Sequence, residues 1–382
     1  MSVNDKIQDF LATQRDEVHE DLQVDLIDFE DLWERKLWHE LTDRLQSFFK
    51  DSKSEGCRLQ FYKVFILTFA DKINQLKLVQ LALNASVECS DNAERLDFLQ
   101  TVAKKVDTED TKDALVYAST AVARVKLNIP DLEGARKDLD NCERILDRLD
   151  LVEPVVHATF YDANANYYQH KNDFAAYYRN ALLYLACIDL STMNSKERQI
   201  RAYHLCIAAL ASESIYNFGE LLLHPILDTL ADSENAWLRK LVFAFNRGDL
   251  TEYESLTNNI DGNALLSQYS THLRQKIYLA ALTEAVFQRA PHDRSMPFSD
   301  ISSATKVRPD EIEHLVMKAL SLGLLRGTID QVDEIAHITW VQPKVLDKTQ
   351  VAAMRQRLID WDQSVNGLGN WIEKDGGDLW VA

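Results

Sequence analysis

The sequence predicts an all-α chain: a right-handed α-solenoid of tetratricopeptide-like helical hairpins, then a small winged-helix subdomain with a short β-hairpin, then a C-terminal helix. Three observations predict it. Glycine (11) and proline (7) are scarce among the 382 residues, which leaves little chain for structureless linkers. Breaks at Leu132, Phe174 and Phe218 recur in steps of roughly forty residues, the length of a two-helix repeat. One short run, Ile335 to Val341, alternates instead of following helical spacing, with Ile338 and Trp340 on one face and His337 and Thr339 on the other.

The first strong element is an amphipathic helix over Asp31 to Phe49, with Leu32, Leu37, Leu41, Leu45 and Phe48 inward. Leu59 to Phe69 and Leu76 to Val87 continue the helical pattern. Asn128-Ile129-Pro130-Asp131 ends one helix and opens another, with Asp131 as N-cap. Lys171-Asn172-Asp173 repeats that device, and so does Asn246-Arg247-Gly248-Asp249, where glycine supplies the C′ position. Tyr216 to Gly219 marks a further break. The helices between these breaks mix small and aromatic residues: Ala114, Ala118, Ala121 and Val125 in one, Phe174, Tyr177, Tyr178 and Ala181 in another. Small residues let helices approach closely, and aromatic rings fill the spaces between hairpins. The strict tetratricopeptide consensus is absent, so period and pattern carry the assignment.

Ser267 to Arg289 reads as a long helix leading to a turn-rich joint at 290–294. Pro309 then suits a first helical turn, with Asp310 and Glu311 behind it. Ile312, Leu315, Val316, Ala319 and Leu320 make one apolar stripe, and Gly323 ends the helix. Two short strands follow, Leu324 to Asp330 and Ile335 to Val341, closed by Pro343. A last helix, Asp347 to Trp371, places Val351, Met354, Leu358, Trp361 and Val365 on one face. The tail from Asp375 holds Leu379-Trp380-Val381, read either as a fraying end or as an apolar anchor for a partner.

A winged helix either reads DNA or serves as a protein–protein surface. Charge opposes the first use. Between Asp300 and Lys344 five cations stand against seven carboxylates, net −2, and Asp310, Glu311 and Glu313 crowd the leading end of the helix that would enter a groove. The whole chain carries −18 with a pI near 5.0. Hydrophobic (46%) and charged (27%) fractions are those of an ordinary folded protein. No run approaches the ~20 apolar residues of a membrane span, and Met1 to Leu11 lacks a signal-peptide core, so neither membrane insertion nor secretion is expected. The five cysteines (Cys57, Cys89, Cys142, Cys187, Cys206) are odd in number, form no CxxC, and read as reduced thiols.

No catalytic constellation emerges. GxxxxGK[ST], GxGxxG, GxSxG and HExxH are all absent, and the ten histidines stand apart. His204 reads as a helix residue, and His39 and His170 as helix-end residues. The expectation is no enzyme activity, no catalytic residues, no cofactor and no metal.

The run Leu322-Gly323-Leu324-Leu325-Arg326-Gly327, with Thr339-Trp340-Val341-Gln342-Pro343-Lys344-Val345-Leu346-Asp347, resembles the PCI module shared by the proteasome lid, the COP9 signalosome and eukaryotic initiation factor three. Asn217-Phe218-Gly219-Glu220-Leu221-Leu222, Lys126-Leu127-Asn128-Ile129 and Phe160-Tyr161-Asp162 are similar to one branch of it, the PCI-domain subunits of the 26S proteasome regulatory-particle lid that form the ninth non-ATPase subunit family. The resemblance implies domains at 1–170 (N-terminal helical repeats), 171–290 (helical-repeat part of the PCI domain), 291–346 (its winged helix) and 347–382 (C-terminal helix and tail).

It also implies a non-catalytic scaffold for ubiquitin-dependent degradation. Winged-helix sheets of neighbouring subunits would align side by side and C-terminal helices would gather in a bundle. The partners implied are other lid subunits, with a ubiquitin-receptor subunit as a further candidate, and neither nucleic acid nor membrane. The compartments are cytoplasm and nucleus. A two-strand wing would offer an unpaired edge to a neighbour. The final helix would either join the bundle or pack on its own winged helix. Expected contact residues are Leu325, Arg326, Ile329, Ile338, Trp340, Val341, Leu358, Trp361, Val365, Leu379 and Trp380. The alternatives are a PCI subunit of the signalosome or of the initiation factor and, more distantly, a nucleic-acid-binding winged helix.

Overall fold

A computed structural model describes residues 3–17, 22–231, 233–289, 293–343 and 348–376. The chain divides into two compact units, Met1–Asn194 and Ser195–Ala382.

The first unit holds helices and no strand among its described residues. Its elements are α1 (Val3–Glu17), α2 (Gln23–Glu34), α3 (Trp38–Lys50), α4 (Arg58–Gln60), α5 (Gln75–Ser86), α6 (Asn92–Val106), α7 (Lys112–Asn128), α8 (Leu132–Leu146), α9 (Pro154–Lys171) and α10 (Phe174–Cys187). Helix α7 packs against α6, α8 and α9, and α9 pairs with α10. Its buried Ala114, Ala118 and Ala123 allow that close approach, and one continuous core runs from Ile7 to Tyr167. Asp131 and Asp173 cap α8 and α10 through bonds from Gly134 N and Ala176 N.

Two expectations are corrected here. The single helix over Asp31 to Phe49 is two helices. Lys36 adopts a left-handed φ of 57°, and the amides of Lys36 and Leu37 bond back to the carbonyls of Trp33 and Leu32. That is the Schellman ending, which glycine usually announces. Leu59 to Phe69 is not one regular α-helix. A π turn at Phe61–Phe65 and a 3-10 turn at Ile66–Thr68 follow α4. This winding buries Phe61, Tyr62, Phe65 and Phe69 together, with Phe65 and Phe69 edge-to-face at 5.2 Å.

The second unit begins with α11 (Ser195–Ala211), α12 (Gly219–Leu223), α13 (Ala236–Arg247), α14 (Leu250–Gly262), α15 (Ala264–Gln268) and α16 (Ser270–Gln288). Then come β1 (Ser295–Pro297), α17 (Phe298–Thr305), α18 (Pro309–Ser321), β2 (Leu325–Asp330), β3 (Ile335–Val341) and α19 (Lys348–Gly376). Gly248 ends α13 at φ 67° and Gly323 follows α18 at φ 70°. Lys276 on α16 is 1% exposed, and its ammonium donates to the carbonyls of Ala209, Leu210 and Ser212 at 2.8, 3.1 and 2.7 Å. A buried lysine thus closes the C-terminal end of α11.

The winged helix has three strands in the order β1-β3-β2, all antiparallel. The expected two-strand hairpin is therefore incomplete. Ser295-Met296-Pro297 pairs with His337-Ala336-Ile335 and covers the outer edge of β3. Three residues ending in proline carry too little alternation to be read from sequence. The inner sheet face, through Met296, Leu325, Ala336, Ile338 and Val341, packs on Leu282 and Val286 of α16, Ile301 of α17 and Ile312 and Val316 of α18.

Candidate protein-interaction surface

Strand pairing sets which side chains the wing presents. Leu325 lies opposite Val341 and Arg326 opposite Trp340, but Gly327 lies opposite Ile338. Thr339 is thus an extra residue, a β-bulge that changes the phase of β3. Ile338 and Trp340 therefore do not share a face, as simple alternation predicts. Ile338 is 6% exposed and points inward, whereas Trp340 is half-buried on the other face. There the Arg326 guanidinium lies 4.7 Å from the Trp340 ring centroid. The bulge depends on Gly327: a Cβ there would sit 2.1 Å from the His337 carbonyl oxygen. Thr339 Oγ1 donates to the Arg326 carbonyl at 3.1 Å and fastens the bulge.

The expected contact residues fall into three groups. Leu325, Ile338 and Val341 are core residues of the winged helix. Arg326 is exposed, and Ile329 and Trp340 are half-buried. Leu358, Trp361 and Val365 are 64%, 67% and 46% exposed on α19. Leu379 and Trp380 lie outside the described residues.

Helix α19 carries eight exposed large hydrophobic side chains, Val351 to Ile372. Val351, Met354, Leu358, Trp361 and Val365 repeat at alternating steps of three and four, and the same spacing carries the stripe on through Leu368 and Ile372. Each of these side chains is between 46% and 67% exposed. Such spacing keeps one seam along a helix that winds around other helices. The choice left open in the sequence, bundle or self-packing, turns on this exposure: the seam is not covered by its own winged helix.

The winged helix has little to offer a polyanion. Arg308 is paired with Glu311 and lies 3.8 Å from Asp310, so its charge is neutralised at the start of α18. His337 Nδ1 is 2.8 Å from Ser295 Oγ, a strand-to-strand contact between β3 and β1. Burial pushes the thiols of Cys142 and Cys206 up to about 12 and lowers the His204 pKa, the opposite of activation for a nucleophile. No group of three or more His, Cys, Asp or Glu among the described residues is placed to hold a metal ion. No helix among them is long and apolar enough to cross a membrane.

Three family descriptions match in order along the chain: PSD13 N-terminal repeats over residues 25–242, PCI domain over 252–340 and Rpn9 C-terminal helix over 344–376. The chain is 43% identical to the probable 26S proteasome regulatory subunit rpn9 of Schizosaccharomyces pombe, over 100% of this chain and 99% of that one. It is 39% identical to the 26S proteasome regulatory subunit RPN9 of Saccharomyces cerevisiae, with 99% of each covered. The likeness to eukaryotic translation initiation factor 3 subunit M of Aspergillus clavatus is weaker, 25% over 52% of this chain and 43% of that one.

Proposed function

The chain belongs to the Rpn9/PSMD13 family of 26S proteasome regulatory subunits, and from that premise we propose that it is a non-catalytic structural subunit of the regulatory-particle lid. In this reading it holds neighbouring subunits in register for ubiquitin-dependent protein degradation, and its complex works in cytoplasm and nucleus. The observation that carries the reading is the solvent-facing heptad seam of α19. Burying each large apolar side chain of that seam contributes about 1.5–3 kcal/mol, and the partners suited to it are other amphipathic helices. The outer face of the wing, with Arg326 and Trp340, supplies a second contact to a neighbouring PCI subunit, whereas Ile329, opposite the buried Ala336, packs on the core of the winged helix. Residues 1–170 and 171–290 act as the repeat arm and the helical part of the PCI domain, and 291–346 as its winged helix. A ubiquitin-receptor subunit is a candidate ligand of the repeats.

Similarity to the initiation-factor subunit extends over only half the chain, which favours the proteasome over that complex. The test is affinity purification of the tagged chain from its own cells, with quantitative mass spectrometry of what accompanies it. Recovery of lid and base subunits at near-equal stoichiometry is expected. Signalosome or initiation-factor subunits in their place would move the chain to another complex. Recovery of the chain alone, or with chromatin, would overturn the scaffold reading.

A further inference from the structure

The repeat unit carries a groove with a chemistry that the scaffold reading does not use. Its volume is about 370 Å³, within the range of ligand sites. Helix α7 forms its base: Tyr117, Thr120, Ala121, Arg124, Val125 and Asn128 follow one another on a single helical face. Arg95 and Leu99 of α6 form one wall, and Asn84 at the end of α5 another.

Three features are unusual together. First, the chain carries −18, yet the residues lining this groove include two arginines and no carboxylate. Second, Arg95 makes no ion pair among the described residues, and its Nε is buried without a hydrogen-bond partner. A shielded guanidinium N–H left unpaired is costly. Arg124 differs, since the buried Asp162 carboxylate lies 3.5 Å from it and holds it in place. Third, the remaining lining alternates in character. Leu83 and Val87 offer apolar surface, with the buried Leu99 and Val125 beneath, and the carboxamides of Asn84 and Asn128 offer donors and acceptors that match a peptide backbone.

We propose that this groove binds an extended acidic segment of another protein, with a carboxylate of that segment taken by the Arg95 guanidinium. The planar fork of arginine accepts a carboxylate through two parallel hydrogen bonds. Leu83 and Val87 take the aliphatic side chains between the acids, and the two asparagines fix the backbone. A nucleic acid is disfavoured as occupant, because two cations on a chain of this charge give little counterion release.

The test titrates the purified full-length chain into fluorescein-labelled Glu-Leu-Glu-Leu-Glu-Leu and reads anisotropy, with Gln-Leu-Gln-Leu-Gln-Leu as the uncharged probe. Saturable binding of the acidic peptide is expected, at least about ten-fold tighter than the glutamine peptide, through the charge-assisted pair with Arg95. Arg95→Gln should weaken the acidic peptide by a similar factor and leave the glutamine peptide unchanged. Arg95→Lys keeps the charge without the fork and should fall between, provided both variants melt with the parent by circular dichroism. Equal binding of the two peptides, indifference to both substitutions, or no saturation below about 1 mM would overturn the proposal.

Discussion

Arg326 and Trp340 face each other across strands β2 and β3, with the guanidinium carbon 4.7 Å from the ring centroid. This contact exists because Thr339 is bulged out of the pairing, which turns Trp340 away from the core that receives Ile338. Arginine and tryptophan are the residue types that most often dominate binding energy at protein interfaces. The two neighbouring positions should therefore fail in different ways. Trp340→Ala should leave the melting temperature within a few degrees of the parent and reduce incorporation into the complex. Ile338→Asp buries an unpaired carboxylate and should unfold the winged helix itself. Thermal melts of the isolated variants, set beside their co-purification yields, separate the two. Equal loss of stability in both would place Trp340 in the core after all.

Gly327 makes the bulge possible. Its substitution by alanine would bring Cβ to 2.1 Å from the His337 carbonyl oxygen, and the obstacle is backbone, which cannot rotate aside. Gly327→Ala should destabilise the wing by about 1–3 kcal/mol. Hydrogen exchange should then accelerate at the amides of Leu325 to Val341 while those of the first unit keep their protection. Unchanged exchange in the wing would mean that the β2–β3 pair absorbs the extra methyl by slipping.

These positions also mark how much the sequence discloses. Helix ends at Asn172, Gly248 and Gly323 were legible, because asparagine and glycine tolerate the left-handed φ that a Schellman ending needs. Lys36 uses the same ending with no such signature, so α2 and α3 read as one helix. Strand β3 was legible from its alternation, but the bulge was not. Alternation presumes an unbroken period of two, and one inserted residue reverses every side chain beyond it. Strand β1 was too short to show any period. The seam of α19 was fully written in the sequence, since spacing alone defines it; its exposure needed the structure.

Lys276 offers a pH-dependent test. Burial pushes its pKa down to about 7, against about 10.4 for a free lysine. Its three carbonyl partners and the rings of Tyr216 and Phe218, at 5.4 and 5.2 Å, favour the charged form and oppose that trend. A folded pKa below the unfolded one means that the folded chain binds fewer protons in the interval between them. The contribution of Lys276 to stability should therefore rise with pH across about 7 to 10, by at most about 1.4 kcal/mol per pH unit, and fall as pH drops toward 7. Lys276→Met leaves three carbonyls at the end of α11 unpaired and should cost about 3 kcal/mol near neutrality. Denaturant melts of parent and variant should show their difference widening from pH 7 to pH 9. A constant difference would mean that Lys276 keeps its proton throughout and acts purely as a cap.

The seam of α19 gives the sharpest separation of folding from assembly. Leu358 and Trp361 are 64% and 67% exposed, so replacing them removes no core contact. Leu358→Glu with Trp361→Glu should leave the melting temperature and helical content of the free chain unchanged. If partner helices cover the seam as proposed, each glutamate would place an unpaired charge among them at a cost of several kcal/mol. Assembly should therefore fall at least about a hundred-fold, the equivalent of roughly 2.7 kcal/mol. Lengthening the polar face instead, with Gln356→Glu on the opposite side of α19, controls for added charge and should assemble normally. If the double variant were recovered with its partners at full stoichiometry, the seam would not be the buried face. The wing would then have to carry the attachment alone, and Trp340→Ala in the same background should release the chain.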